Sequence, residues 1–308
     1  MGRAPRLVHG DDLLYRFFNN LLADTRDNLA AIPQLLLETM AVWLPPTTYA
    51  RWPVLLPWVV RDPSCRGRPR NGVPDRWGSP DDRGYLRDDN SLIKSLPRSL
   101  EITGPARSGL AGARIGTEFV AAHVWLRVNG STVLASRWPE LNSFVPNLVW
   151  LPSQVAKLTD REGSGVQETL QAMAWQIYRP VAVEPTYEQI VKRSWALLPV
   201  PERAIGTIRH EELNWFEPTE RFYRTREERL RSVVEALLQL EAGKGIAAKV
   251  ITSRYGQGLP GVSAEARSDL RSYLCQFQRE HIRPSLDEHE VLGAAQRSIG
   301  VREFPQST

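Results

Sequence analysis

The alternation of apolar and polar positions changes character along the chain, and each change predicts a different kind of element. From Asp11 to Leu44 apolar residues recur at helical spacing: Leu13, Leu14, Phe17, Phe18, Leu21, Leu22 and Leu29 form a stripe, and Pro33 divides the segment into two helices. From Pro45 to Pro105 no period is sustained, and Pro, Gly, Asp and Trp recur instead. This predicts a long ordered loop region or a set of short strands. Its tryptophans Trp52, Trp58 and Trp77 argue against full disorder. Glu118 to Trp125 and Arg127 to Ala135 then read as two short strands around Asn129-Gly130, a strong two-residue hairpin signal. After a connection through Ser136 to Pro146 comes Asn147-Leu-Val-Trp-Leu-Pro, leading into a helix that Ser153 can cap.

The second half is more regular. Ser164 to Tyr178 carries Val166, Leu170, Ala174 and Ile177 on one helical face, and Pro185 to Leu198 is a further helical segment. The clearest helix runs from Glu227 to Leu240, with Leu230, Val233, Val234, Leu237 and Leu238 as its stripe and Gly243 as its stop. Gly256 to Gly261 reads as a turn and Ser263 to Ile282 as a last long helix. There is no internal repeat and no low-complexity tract.

Composition narrows the class. A chain of 308 residues allows about two domains at roughly 150 residues each. With 42% hydrophobic and 24% charged residues it is neither a fibre nor a disordered tail. The longest apolar runs, such as Pro53 to Val60, fall far short of the roughly 20 residues of a membrane span. Met1 to Gly10 lacks an apolar core followed by a cleavage site, so a cytoplasmic protein without membrane contact is expected. Cys65 and Cys275 lie far apart and in no metal-ligand spacing, which argues against a disulfide scaffold and a cysteine zinc site.

Charge adds a partner class. Of 39 basic residues only five are lysines (Lys94, Lys157, Lys192, Lys244 and Lys249). Arginine pairs in bidentate fashion with phosphates and guanine edges, so this balance suits nucleic acid, although a GC-rich genome would produce it too. Seven arginines lie between Arg61 and Arg87 against four aspartates. Within that segment Arg66, Arg68, Arg70 and Arg76 are the candidate phosphate contacts, on a stretch too rich in turn formers for a helix. A solvated surface loop is the plainer alternative.

One constellation carries candidate chemistry. His123 lies near the end of a predicted strand, a loop with a hairpin signal follows, and Asn147-Leu-Val-Trp-Leu-Pro opens a predicted helix 24 residues later. This order resembles the ββα-metal core of the HNH nucleases over about residues 118–162. The resemblance implies His123 as general base, Asn147 as the residue that orients it, and a divalent metal, Mg or Mn, held from the helix. A neutral imidazole can take a proton from water near pH 7, and a cation would stabilise charge building on phosphate. The two positions where the family carries metal ligands are Ala122 and Ala156 here. Asp160, one helical turn beyond Ala156, is the candidate replacement, with Glu162 beside it. His123 as a hydrogen-bonded histidine between packed strands, and Asn147 as a loop-capping residue, is the competing reading.

Weaker candidates complete the survey. His210-Glu-Glu, followed by Trp215, has no second histidine at helical spacing and reads as a surface segment. His281 and His289 are separated by Pro284. Asp81, Asp82, Asp88, Asp89, Lys94 and Glu101 are the residue types of a restriction-type nuclease without its spacing. The expectation is therefore an α+β protein, mostly helical, with a small ββα-like core and a long irregular Arg/Pro/Gly-rich region. Its parts would be an N-terminal helical region (1–60), a basic irregular region (61–110), the ββα-like core (111–180) and a C-terminal helical region (181–308). The expected function is nucleic-acid binding, DNA ahead of RNA. Two forms of it are open: metal-dependent cleavage in a restriction or phage-defence system, or a non-catalytic subunit bound to other proteins. A structural protein with merely compositional arginines is the remaining rival, and without cleavage no cofactor is expected.

Overall fold

The computed structural model describes residues 6–8, 32–57, 93, 96–132, 134–160, 162–247, 259–261 and 264–281. Asp11 to Ala31 and the arginine-rich segment 58–92 lie outside the described residues. Among those described, the fold is α+β and mostly helical, with eight α-helices and a mixed five-stranded sheet.

An inner strand of the sheet is β6 (Leu148–Pro152), all five residues of which are buried. A strand covered on both faces reads as a continuous apolar run, and Leu-Val-Trp-Leu is one. The sequence suggests only a lead-in to a helix here, because a short apolar run has no period to separate strand from helix. On one side β6 pairs antiparallel with β5 (Phe119–His123), in a register that sets Phe119 opposite Pro152 and His123 opposite Leu148. On its other side it pairs antiparallel with β2 (Val42–Trp43), Val42 lying opposite Trp150. β2 then runs parallel to β7 (Asn214–Phe216), and β7 pairs antiparallel with β3 (Ile102–Thr103). A separate parallel pair joins β1 (Arg6–Val8) to β4 (Ala113–Ile115).

The expected hairpin around Asn129-Gly130 shrinks to one bridge, Arg127 with Leu134. Its turn is real: the Ser131 amide donates to the Val128 carbonyl at 3.1 Å, and Gly130 has φ +63°. Asn129 has no positive φ. The turn is therefore not the type I′ that aligns two strands, which needs positive φ at both central residues. β5 finds its partner instead across the loop, in β6.

The helices cover this sheet. α1 (Ile32–Met40) begins with Pro33 in its first turn, where a missing N–H costs nothing. α2 is Pro46–Arg51 and α3 the single turn Pro139–Asn142. α4 is Ser153–Thr159. Ser153 is its first residue rather than its cap, and its hydroxyl donates to the Gln154 side chain at 3.2 Å. α5 (Gly165–Tyr178) starts on Ser164, whose hydroxyl accepts from the Gln167 amide at 3.2 Å. α6 is Glu188–Ala196 and α8 Ala264–His281.

α7 (Glu220–Glu241) begins seven residues before the helix read from the sequence, on a Thr219 cap that accepts from the Phe222 amide at 3.3 Å. Its stripe runs Phe222, Arg226, Leu230, Val233, Leu237, all buried. An arginine in a buried position hides that continuity from a hydrophobicity reading. Backbone meets two nitrogens of Arg226 there: Nε donates to Leu55 O at 2.7 Å and one Nη to Val54 O at 2.8 Å, while the other Nη is buried without a hydrogen-bond partner among the described residues and the guanidinium lies 4.4 Å from the Trp52 ring.

The buried residues form one cluster from Val8 to Phe277. At its heart a chain of edge-to-face aromatic contacts links Tyr178, Tyr49, Phe144, Trp195 and Trp125, ring centroids 5.3–5.9 Å apart. Among the described residues no helix is long and apolar enough to cross a membrane.

Candidate functional site

β5 is followed by residues 124–147, which contain α3, and then by β6 and α4; where the sequence suggests a helix opening at Asn147 the chain forms a strand, and the helix begins at Ser153. His123 is the last residue of β5 and is partly buried. Its Nε2 lies 2.9 Å from the Asn142 carbonyl oxygen. A carbonyl only accepts, so Nε2 carries the proton and Nδ1 is the basic nitrogen of the neutral ring.

Asn147 is fully buried, just before β6. Its Oδ1 accepts from the Trp125 amide at 2.8 Å and its Nδ2 donates to Leu141 O at 3.0 Å. Its own carbonyl accepts from the Val124 amide at 3.1 Å. The side chain therefore meets the His123 ring indirectly. It fixes Leu141, and the next residue, Asn142, supplies the carbonyl that holds the imidazole. The sequence gives no signal for Asn142, since a backbone acceptor is independent of residue type.

Asp160 caps the C-terminal end of α4 and is exposed. Partial desolvation holds its carboxyl above the usual aspartate value, and the charge of His123 offsets only part of that rise. Glu162 is turned away onto Arg127, whose Nε is 3.0 Å from the carboxylate. Ala122 and Ala156, where the family's ligands would stand, are 8% and 6% exposed and belong to the apolar packing. Among the described residues no three His, Cys, Asp or Glu side chains converge to hold a metal ion. One imidazole and one carboxylate do not complete such a site; the chemistry within reach of this pair is proton transfer at the His123 ring.

The remaining sequence candidates separate. Arg66, Arg68, Arg70 and Arg76 lie outside the described residues, as do Asp81, Asp82, Asp88, Asp89, Lys94 and His289. Glu101 pairs with Arg114 at 3.5 Å. His210 is exposed and stacks on Trp215, centroids 5.6 Å apart. His281 packs inward on Tyr187, rings 4.7 Å apart and nearly parallel.

The sequence does not point to a concavity that the fold creates elsewhere. It is a cleft of about 650 Å³ between the end of α5, the segment 181–183 and α6, and its lining includes Trp175, Arg179, Glu188, Lys192 and Trp195. The signal lies in the four-residue spacing of Trp175 and Arg179 and the three-residue spacing of Lys192 and Trp195. Both blend into helices whose apolar stripe has an ordinary packing explanation.

No protein-family model, no curated protein and no solved structure matches the chain.

Proposed function

We propose that this chain is a cytoplasmic nucleic-acid-binding protein, acting on DNA ahead of RNA, with β5, β6 and α4 as an HNH-like module in a restriction or phage-defence setting. One observation supports the reading above the others. At the end of the first strand of a strand–loop–strand–helix unit, His123 is held by a backbone carbonyl and lies within electrostatic reach of Asp160. The module grips the duplex and the arginines of segment 61–87 follow its phosphates.

The second reading, a metal-dependent endonuclease, is favoured by the fixed tautomer of His123. With the proton on Nε2, Nδ1 is the ring atom that would act as the base. The packed Ala122 and Ala156 favour binding without cleavage, as a subunit of a larger protein complex.

The test uses one purified protein for both readings. Duplex DNA should bind with an affinity that falls steeply with salt, because phosphate contacts release counterions. Replacing Arg66, Arg68 and Arg70 together by alanine should flatten the salt slope by up to about three, roughly one per lost contact. Salt-independent binding, or none, overturns the proposal. Cleavage that needs Mg or Mn and vanishes in His123→Ala with the melting temperature retained would establish the endonuclease. In that case Asp160→Asn should raise the metal concentration required.

A further inference from the structure

The cleft beside α6 combines two features that an ordinary surface groove needs only one of. Its lining includes Trp195, which is 5% exposed and whose Nε1 donates to the Tyr49 hydroxyl at 2.9 Å. Burial pushes that hydroxyl up to about 12, so it stays a neutral acceptor. Trp175, half-buried, stands against Trp195 as a wall, centroids 5.1 Å apart and 76° between planes. Over both rings lies the exposed guanidinium of Arg179, 5.6 Å from Trp175 and 5.8 Å from Trp195. Lys192 adds a second cation to the rim and Glu188 one opposing carboxylate.

We infer that this cleft takes one unpaired nucleotide of a single strand, the base taking the place of the Arg179 guanidinium over Trp175 and the phosphate met by the displaced Arg179 and by Lys192. An aliphatic side chain of a partner would need the apolar walls but not the cations. An acidic side chain would need the cations but not the indoles. A nucleotide needs a flat apolar face and a cation at once, and stacking tolerates any base because every base has a π-face. The volume of about 650 Å³ lies within the range of sites that enclose small ligands. The cleft is also part of the same packed block as the β5–β6–α4 unit. Trp195 packs edge-to-face on Trp125 at 5.8 Å, and Trp125 is the residue whose amide Asn147 holds, two positions beyond His123. A strand leaving the module therefore has a stacking station on the same body. This inference rests on the nucleic-acid reading and deepens it.

The test measures binding of a labelled oligothymidylate and of a labelled duplex to the full chain by fluorescence anisotropy. Trp175→Ala should weaken oligothymidylate binding about tenfold, and Trp175→Phe should restore most of it. Duplex affinity should change little in either. Arg179→Gln should lower the single-strand salt slope by about 0.7, the value of one phosphate contact on a single strand. Glu188→Gln, a surface change that leaves the aromatic walls intact, should tighten single-strand binding. If all three positions leave oligothymidylate affinity unchanged while duplex still binds, the cleft assignment falls and the nucleic-acid reading stands. If neither probe binds the parent, both fall. Displacement of oligothymidylate from the parent by oligoglutamate, with no such competition in Trp175→Ala, would replace the nucleotide by an acidic peptide and overturn the inference.

Discussion

Asn147 shows how much a single buried amide can organise. One side chain ties the amide of Trp125 to the carbonyl of Leu141, two groups 16 positions apart on opposite sides of the loop, and neither bond reaches solvent. Asn147→Ala should strand both groups, at about 1–3 kcal/mol for each that finds no new partner. A melting temperature lowered by several degrees, measured by calorimetry, is the expected result, and an unchanged one would mean that the loop is held otherwise. Asn147→Asp retains the acceptor for Trp125 but buries a carboxylate against the Leu141 carbonyl, so at neutral pH it should destabilise at least as much as alanine. At this scale the sequence is legible where function follows residue type. His123 and Asn147 stand out by residue type, yet the Asn147 side chain bonds Trp125 and Leu141 rather than the imidazole. The route between them is hidden, because it runs through the Asn142 carbonyl.

At the scale of elements, α7 and α8 depend on a pocket in which polar groups sit where apolar ones are expected. Arg226 reaches from α7 to the backbone of Val54 and Leu55, and Tyr187 donates from beneath α6 to the His281 carbonyl at 2.9 Å at the end of α8. The His281 ring is stacked on Tyr187 and tilted against Phe277, 4.6 Å away. Burial lowers its pKa from the ordinary histidine value, outweighing Glu280, which raises it; Arg226 and Arg193 lower it further. An unfolded chain then takes up the proton first as pH falls. The stabilisation is complete above the unfolded value of about 6.5, is lost as pH drops through the lowered folded value, and levels off below it. Thermal melts between about pH 5 and 8 should show this loss, and His281→Phe, which keeps a stacking ring, should remove its share of the slope. An equal slope in parent and variant would assign the pH dependence to other groups. Element by element, the sequence is most legible where a period is long and uninterrupted, as in α5 from Ser164 onward. It fails at the start of α7 because Arg226 occupies a core position, and at β6 because burial on both faces removes the alternation that marks a strand.

The whole molecule is organised by pairings between distant parts of the chain. The sheet order β3-β7-β2-β6-β5 draws its strands from residues 42 to 216. Nothing local encodes that Val42 lies between Trp150 and Asn214, which is why the sheet cannot be assembled from the sequence although most of its helices can. The same pairings bear on whether residues 111–180 can stand alone. Cut out, that segment would leave the β2-facing edge of β6 unpaired. It would also lose Phe216 from Trp150, whose ring centroids are 5.2 Å apart, and the Leu44 carbonyl that accepts from the buried Tyr178 hydroxyl at 2.6 Å. An open edge beside an uncovered tryptophan favours association or unfolding over a native fold. The isolated segment 111–180 should therefore give a collapsed amide proton spectrum and no cooperative melt, while the full chain melts in a single transition seen alike by far-ultraviolet and tryptophan signals. A dispersed spectrum from the segment would instead make the β5–β6–α4 unit an autonomous domain. The rest of the sheet would then be a layer added to it, and β6 would hold its register on β5 alone.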